Sequence, residues 1–367
     1  MNLRSPPPDA PVTPRATGLR ALRDDLYWNG ASRVATMGIF TLLLLAALHY
    51  AQPVVMPVVL ALVFGIVLTP LLAAAQRFSI PPWFTSLVLV GLLFAALSYA
   101  IVLLAEPVSQ WLEKAPQFGA VLREKLRFLD GPIAAFNSLR DSIMGRAKEG
   151  EGGINVDIFA LLVQPMLGVL TPALGQMVIF FGTLLFFLAG RENIRRRFLT
   201  VWGGRKARLG AIRFLNDTEE SIVRYFATIT VINFGLGLLL GGFTYLIGMP
   251  NPLVWAVLAF ILNFMPYIGP AVTIILLLGV GLMSFESLAQ ALLAPAFFFA
   301  ASIVEGEFIT PGIVGLRLAL SPLLVFLAVA FWTWFWGPFG ALLAVPLLII
   351  GHVALNHLFP SDVKLPE

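Results

Sequence analysis

The chain has 367 residues, of which 59% are hydrophobic and only 12% are charged. Soluble domains usually carry about 25% charged residues, so this chain, with a mean hydropathy of +0.89, cannot hide its apolar surface in a soluble fold. The net charge of +4 does not indicate a nucleic-acid partner, and the absence of cysteine excludes disulfides and thiolate metal sites. The composition therefore predicts an all-α, polytopic membrane protein.

Eight apolar stretches are candidates for membrane segments, since a span needs about 20 apolar residues. The sixth and eighth are too long for simple spans, and each contains a break that predicts a broken helix. In the eighth the break is Gly337-Pro338-Phe339-Gly340. The eight stretches are residues 34–50, 54–75, 83–105, 167–189, 226–248, 252–283, 288–304 and 321–354.

The membrane segments divide the chain into regions of different composition. Residues 1–33 are polar and proline-rich, which predicts a disordered tail. Residues 106–157 have apolar positions at helical spacing and predict a small insertion of amphipathic helices outside the membrane. The predicted order is tail 1–33, segments one to three in 34–105, insertion 106–157, segment four in 158–190, a basic linker or helix at 191–225, segments five to eight in 226–354, and tail 355–367.

The positions of Lys and Arg predict the orientation of the chain. The N-terminal tail, the turn at Arg77 and the stretch 191–225 are rich in Arg. All three fall on one side of the membrane if the first four segments are true spans, and basic segments stay in the cytoplasm. We therefore expect a cytoplasmic N-terminus and an extracytoplasmic insertion at 106–157.

The break in segment six is the clearest candidate for a binding site. Asn263, Pro266, Tyr267, Gly269 and Pro270 interrupt an otherwise apolar run. Broken helices are tolerated at membrane depth where they are buried or line a cavity, and transporters build substrate sites from them. The helix that restarts there would also direct its positive end at the break, which suits an anionic or oxygen-rich solute. The alternative is a proline kink that only helps helices to pack.

Two carboxylates at the end of segment seven are candidates for ion coupling. Glu305 and Glu307 precede Thr310 and Pro311, which can open the helix toward a cavity and are further candidates for substrate binding. Acidic residues within the membrane are usually retained for ion, proton or substrate paths. The alternative is a solvated position at the interface with Arg317 as an ion-pair partner. Both carboxylates lie outside if segment six crosses once, and inside if it is a re-entrant hairpin.

No signature of catalysis is present. The three histidines lack metal-ligand spacing, and no phosphate-binding loop, dinucleotide fingerprint or nucleophile–base pair occurs. We therefore expect no enzyme activity, no catalytic residue, no metal site and no cofactor.

Several motifs occur together in the second half of the chain. They are Gly248-Met249-Pro250, Asn263 to Pro270, Glu305-Gly306, Thr310-Pro311, Leu320-Ser321-Pro322-Leu323 and Trp336 to Pro346. This combination resembles the autoinducer-2 exporter (AI-2E) family, also described as PerM-like permeases. The resemblance is dense over residues 222–346.

The resemblance implies a bacterial inner-membrane protein with eight membrane segments that exports a small solute. Family members are associated with autoinducer-2 and some with sodium/proton antiport, and homo-oligomers such as pentamers fit the family. One departure is Glu307, where the resemblance implies that many relatives carry Asn in an E-G-N type motif. An added carboxylate at that position could change the charge of the substrate or the coupling.

Three hypotheses follow for a protein whose partners are the lipid bilayer and a small solute. The first is a secondary transporter that exports a small polar solute or signalling molecule, with Glu305 as proton or sodium acceptor. The second is a sodium/proton antiporter that uses Glu305 and Glu307. The third is a non-transporting membrane scaffold or channel, in which the breaks are packing devices and the outer helices bind a partner.

Overall fold

The structure is a computed structural model that describes residues 17–114, 124–125, 158–201, 204–310 and 321–358. All regular structure within these ranges is helical, as predicted. Seven described helices are long and apolar enough to cross a membrane, and two more are apolar but shorter. The helices are α1 Thr17–Tyr50, α2 Gln52–Arg77, α3 Pro82–Lys114, α4 Ile158–Val201, α5 Arg205–Leu246, α6 Pro252–Leu262, α7 Ile268–Ser284, α8 Leu288–Val304 and α9 Pro322–Leu358.

Helix α1 belongs to a structural unit of its own, and the chain from Pro53 onward forms a second unit. The apolar part of α1, Ser32–Tyr50, is 19 residues long, which suffices to cross the hydrocarbon core. The helix begins at Thr17, well before the predicted end of the disordered tail at residue 33. The physical reason is that all the prolines of the tail precede Thr17, and the residues that follow do not prevent a helix. The rest of the predicted tail lies outside the described residues.

Helices α2, α3 and α4 pack around a small apolar core. Ala61 of α2, Val90 of α3, and Leu184 and Leu188 of α4 form this core. Helix α4 has 44 residues and α5 has 42, so each extends for more than about 60 Å, twice the thickness of the hydrocarbon core. The end of α4 and the beginning of α5 therefore extend beyond the membrane. They lie side by side as an antiparallel pair.

Polar contacts join the end of α4 to the beginning of α5. Arg191 of α4 forms an ion pair with Glu219 of α5, and Arg195 donates a hydrogen bond to Asn216. The basic stretch predicted at 191–225 is thus the end of α4 and the beginning of α5. We call the side of the membrane at this stretch the basic face.

Helices α6 and α7 form a re-entrant hairpin, which we call hairpin one. Helix α5 leaves the basic face, so α6 begins at the opposite face. Trp255 near the beginning of α6 shares one core with Leu277 and Val280 near the end of α7, which requires the two helices to be antiparallel. With 11 and 17 residues they are about 16 and 25 Å long, so neither is a complete span.

Both ends of hairpin one lie at the face opposite the basic face. The indole of Trp111, at the end of α3, stacks on Trp255 with ring centroids 4.8 Å apart. Lys125 donates hydrogen bonds to the backbone carbonyl oxygens of Phe285 and Glu286, just after α7. Apart from Glu124 and Lys125, the predicted amphipathic helices that follow α3 lie outside the described residues.

Helix α9 is a second re-entrant hairpin, which we call hairpin two. Its backbone is non-helical at Trp336 and Gly337, where the predicted break lies. Val329 before the break shares a core with Ala341 and Ala344 after it, so the two arms, residues 322–335 and 338–358, run side by side. His357 at the end of the second arm contacts Asp217 of α5, with Nε2 and Oδ2 3.3 Å apart. Hairpin two therefore enters and leaves at the basic face.

Candidate functional site

The break predicted in segment six is the tip of hairpin one. The α6 helix ends with the N–H of Asn263 bonded to the carbonyl oxygen of Ala259, and the chain reverses direction within five residues. The N–H groups of Ile268 and Gly269 bond to the carbonyl oxygens of Pro266 and Met265, at 2.7 and 2.8 Å. Because the tip satisfies these N–H groups itself, its side chains rather than free helix-end amides provide its polarity.

Glycine and proline make the tip possible. A Cβ atom on Gly269 would lie 1.9 Å from the carbonyl oxygen of Leu262, so only glycine fits where the chain folds back. Pro270 lies in the first turn of α7, where the missing N–H costs little. Tyr267 has a φ of 64°, an unusual value for a residue with a side chain.

The tip of hairpin one meets the first arm of hairpin two inside the membrane. Met265 and Ile268 pack against the core of hairpin two, and the ring of Tyr267 lies 5.8 Å from that of Phe326. Tyr267 is half-exposed and borders a groove of about 370 Å³. The groove is lined by Tyr267, Ile268, Phe326, Val329, Ala330, Thr333 and Trp334.

The lining of this groove is mostly apolar and aromatic, and it contains no charged side chain. Helices α6 and α7 contain no Asp, Glu, Lys, Arg or His, and neither do residues 322–351 of hairpin two. Its hydrogen-bonding groups are the hydroxyl of Tyr267, the indole N–H of Trp334 and the hydroxyl of Thr333, which donates to the carbonyl oxygen of Val329 and can still accept. Together with the aromatic faces they can bind a small solute that has hydroxyl or carbonyl oxygens.

One polar residue at the tip was not predicted from the sequence. Asn233 of α5 is completely buried, and its Oδ1 accepts a hydrogen bond of 2.8 Å from Nδ2 of Asn263. This is an amide pair inside an apolar region, where α5 and α6 approach closely at Gly237. The sequence did contain a signal for this residue, because it is a single Asn in a mostly apolar span. Polar residues in membrane segments usually face the protein interior.

The predicted coupling residues lie elsewhere, at the end of α8. Glu305 is about 26 Å from the beginning of the helix, which places it toward the basic face. It begins a single π-helical turn, Glu305–Ile309, and its carboxylate accepts a hydrogen bond from the hydroxyl of Thr310. Glu307 is exposed. Pro311 and Arg317 lie outside the described residues.

The structure thus brings the predicted residues together in two groups. Asn263, Pro266, Tyr267, Gly269 and Pro270 form the tip of hairpin one, whereas Glu305 and Thr310 form a separate polar cluster.

Helix α5 passes beside both groups. Phe226 stacks on Phe264 at the tip, and the preceding residue, Tyr225, lies within electrostatic reach of the Glu305 carboxylate.

Comparison with known proteins identifies the family of the chain. The sequence model of the family described as AI-2E family transporter matches residues 39–359. This match extends from within α1 to the end of α9. The chain belongs to the AI-2E transporter family. It is therefore a multi-pass membrane transporter, as the motifs predicted.

Relatives in the AI-2E family match nearly the whole chain. The AI-2 transport protein TqsA of Escherichia coli (strain K12) is 27% identical over 328 residues, which cover 89% of this chain and 92% of TqsA. The protein YhhT of the same strain is 26% identical over 305 residues, covering 83% of this chain and 84% of YhhT.

Proposed function

We propose that this transporter exports a small, uncharged, oxygen-rich solute across the bacterial inner membrane, with its N-terminus in the cytoplasm. The observation that carries the proposal is the meeting of two hairpins inside the membrane, one from each face. Broken segments of this kind can open alternately to the two sides while the solute stays between them. The contact of Tyr267 with Phe326 joins the hairpins at the groove.

The chemistry of the groove supports an uncharged solute. An ion inside the membrane needs an opposite charge, a metal or free backbone groups at a helix end to offset its desolvation, and the N–H groups of Ile268 and Gly269 are bonded within the tip. The hairpins offer amides, hydroxyls and aromatic rings instead. The sequence left two classes of solute open, anionic and oxygen-rich. The chemistry of the groove favours the uncharged, oxygen-rich class. Because TqsA is named an AI-2 transport protein, autoinducer-2 is the first solute to test.

Glu305 is the proposed coupling residue. Its carboxylate is half-buried between an apolar helix and Thr310, and a carboxylate in such a place can bind and release a proton during a transport cycle. Its position toward the basic face would let it exchange protons with the cytoplasm. The alternative is that Glu305 binds sodium. A flux assay under separate proton and sodium gradients distinguishes the two ions.

The experiment is a flux assay with purified protein in proteoliposomes. Autoinducer-2, ribose and lactate are offered under imposed proton and sodium gradients. We expect saturable movement of the uncharged hydroxylated solutes, driven by the proton gradient, and none of lactate. Proton flux that requires sodium but no solute would instead indicate an antiporter. The absence of any flux above that of empty liposomes would indicate a scaffold and overturn the proposal.

A further inference from the structure

The amide pair of Asn233 and Asn263 is incompletely bonded. Asn263 Nδ2 donates to Asn233 Oδ1, but Asn233 Nδ2 has no hydrogen-bond partner although the residue is fully buried. Buried polar groups are almost always paired, so an unpaired one inside a membrane protein requires an explanation. Its position beside the hairpin tip makes this donor a candidate for a contact with the solute.

The two asparagines lie on neighbouring elements. Helix α5 packs closely on α6 at Gly237 and Gly241, whereas Asn263 lies just beyond the end of α6, in the tip. When the tip changes conformation while α6 stays packed on α5, the amide of Asn233 loses its hydrogen bond to Asn263.

The chemistry of a primary amide defines the ligand that would replace Asn263. An amide presents one acceptor and one donor side by side. Two neighbouring hydroxyl groups match this pattern, because one can donate to the oxygen while the other accepts from the nitrogen. The match holds for either orientation of the amide.

We propose that Asn233 is a solute-binding residue, and that in this conformation the side chain of Asn263 occupies part of the place that the hydroxyl groups of the solute take during transport. The inference rests on the proposed function and adds a contact on the α5 side of the tip, beyond the residues that line the groove. It explains both the complete burial of Asn233 and its unused donor.

The test compares two replacements of Asn233 in proteoliposomes with autoinducer-2 as the probe. Asn233→Leu removes both polar groups. Asn233→Asp keeps an oxygen that accepts from Asn263 and replaces the two N–H donors by the single O–H of a buried, protonated carboxyl. We expect both variants to raise KM at least tenfold with a smaller change in the maximal rate. Thr244→Val is the matched control, because this buried hydroxyl on the same helix bonds only to the backbone of Leu240 and Gly241.

The competing explanation is that Asn233 only tethers the tip. A tether predicts that Asn233→Asp, which keeps the bond to Asn263, transports with the KM of the wild type, and that result would overturn the inference.

Thermal unfolding in detergent provides a second measurement if Asn233→Asp fails to fold. A solute contact predicts that autoinducer-2 raises the unfolding temperature of the wild type but not that of Asn233→Leu. A tether predicts the same rise with autoinducer-2 in both proteins, whatever their unfolding temperatures without it. Wild-type protein that moves no autoinducer-2 and no ribose would overturn the proposed function, and this inference with it.

Discussion

Two glycines allow the hairpins to fold back on themselves. A Cβ atom at Gly269 would lie 1.9 Å from the carbonyl oxygen of Leu262, and one at Gly340 would lie 1.9 Å from that of Trp332. In a straight helix, residues seven and eight positions apart are about 10 and 12 Å apart along the axis. The same close approach therefore marks the turn in both hairpins, and both turns depend on the absence of a side chain.

Replacing Gly269 by alanine should destabilise the protein and abolish transport. Overpacking typically costs about 1–3 kcal/mol, and here the atom in the way belongs to the backbone, which cannot move aside like a side chain. Gly242→Ala is the control, because nothing lies within 4 Å of its Cβ position and alanine favours a helix by up to about 1 kcal/mol. Thermal unfolding in detergent measures both. Equal unfolding temperatures for the two variants would contradict the role assigned to Gly269.

The sequence indicated some residues of the site and missed others for a physical reason. Asn263, Tyr267 and Gly269 were identified because polar residues, glycine and proline rarely interrupt an apolar run without a structural cause. Asn233 gave a weaker signal, since the helix around it is continuous. Its role depends on the contact with Asn263, thirty positions along the chain, and no local pattern encodes that contact.

At the scale of elements, the sequence identified both breaks but not the direction of the chain after them. The run 252–283 is long enough for one tilted crossing or for two short helices, and charges that would orient it are sparse after α5. The structure forms two short helices because Trp255 packs with Leu277 and Val280 when α6 and α7 are antiparallel. The tertiary core, rather than segment length, determines the hairpin.

The hairpin makes a direct prediction about accessibility. The chain contains no cysteine, so single cysteines can be introduced at Asn251 and Glu286, the two exposed ends of hairpin one. We expect a membrane-impermeant maleimide to label both from the same side of the membrane. Cysteines at Glu307 and Arg205 should react only from the other side. Oriented membrane vesicles provide the measurement, and labelling of Asn251→Cys and Glu286→Cys from opposite sides would show that segment six crosses once.

At the scale of the molecule, polar groups form two separate clusters. The tip of hairpin one holds Asn263 and Tyr267, and the end of α8 holds Glu305 and Thr310. The solute and the coupling ion would thus bind at different sites. Helix α5 passes beside both, with Asn233 at the tip and Tyr225 near Glu305.

This separation predicts that binding and coupling can be lost independently. Glu305→Gln cannot release a proton but keeps the shape of the side chain, and it leaves the tip of hairpin one unchanged. We expect accumulation of autoinducer-2 driven by a proton gradient to fall at least tenfold, while exchange between equal concentrations on the two sides stays within about threefold of the wild type. Glu286→Gln, an exposed glutamate at the opposite face, is the control and should retain both activities. If Glu305→Gln lowers exchange and accumulation equally, the carboxylate takes part in solute binding or folding, and the coupling site must lie elsewhere.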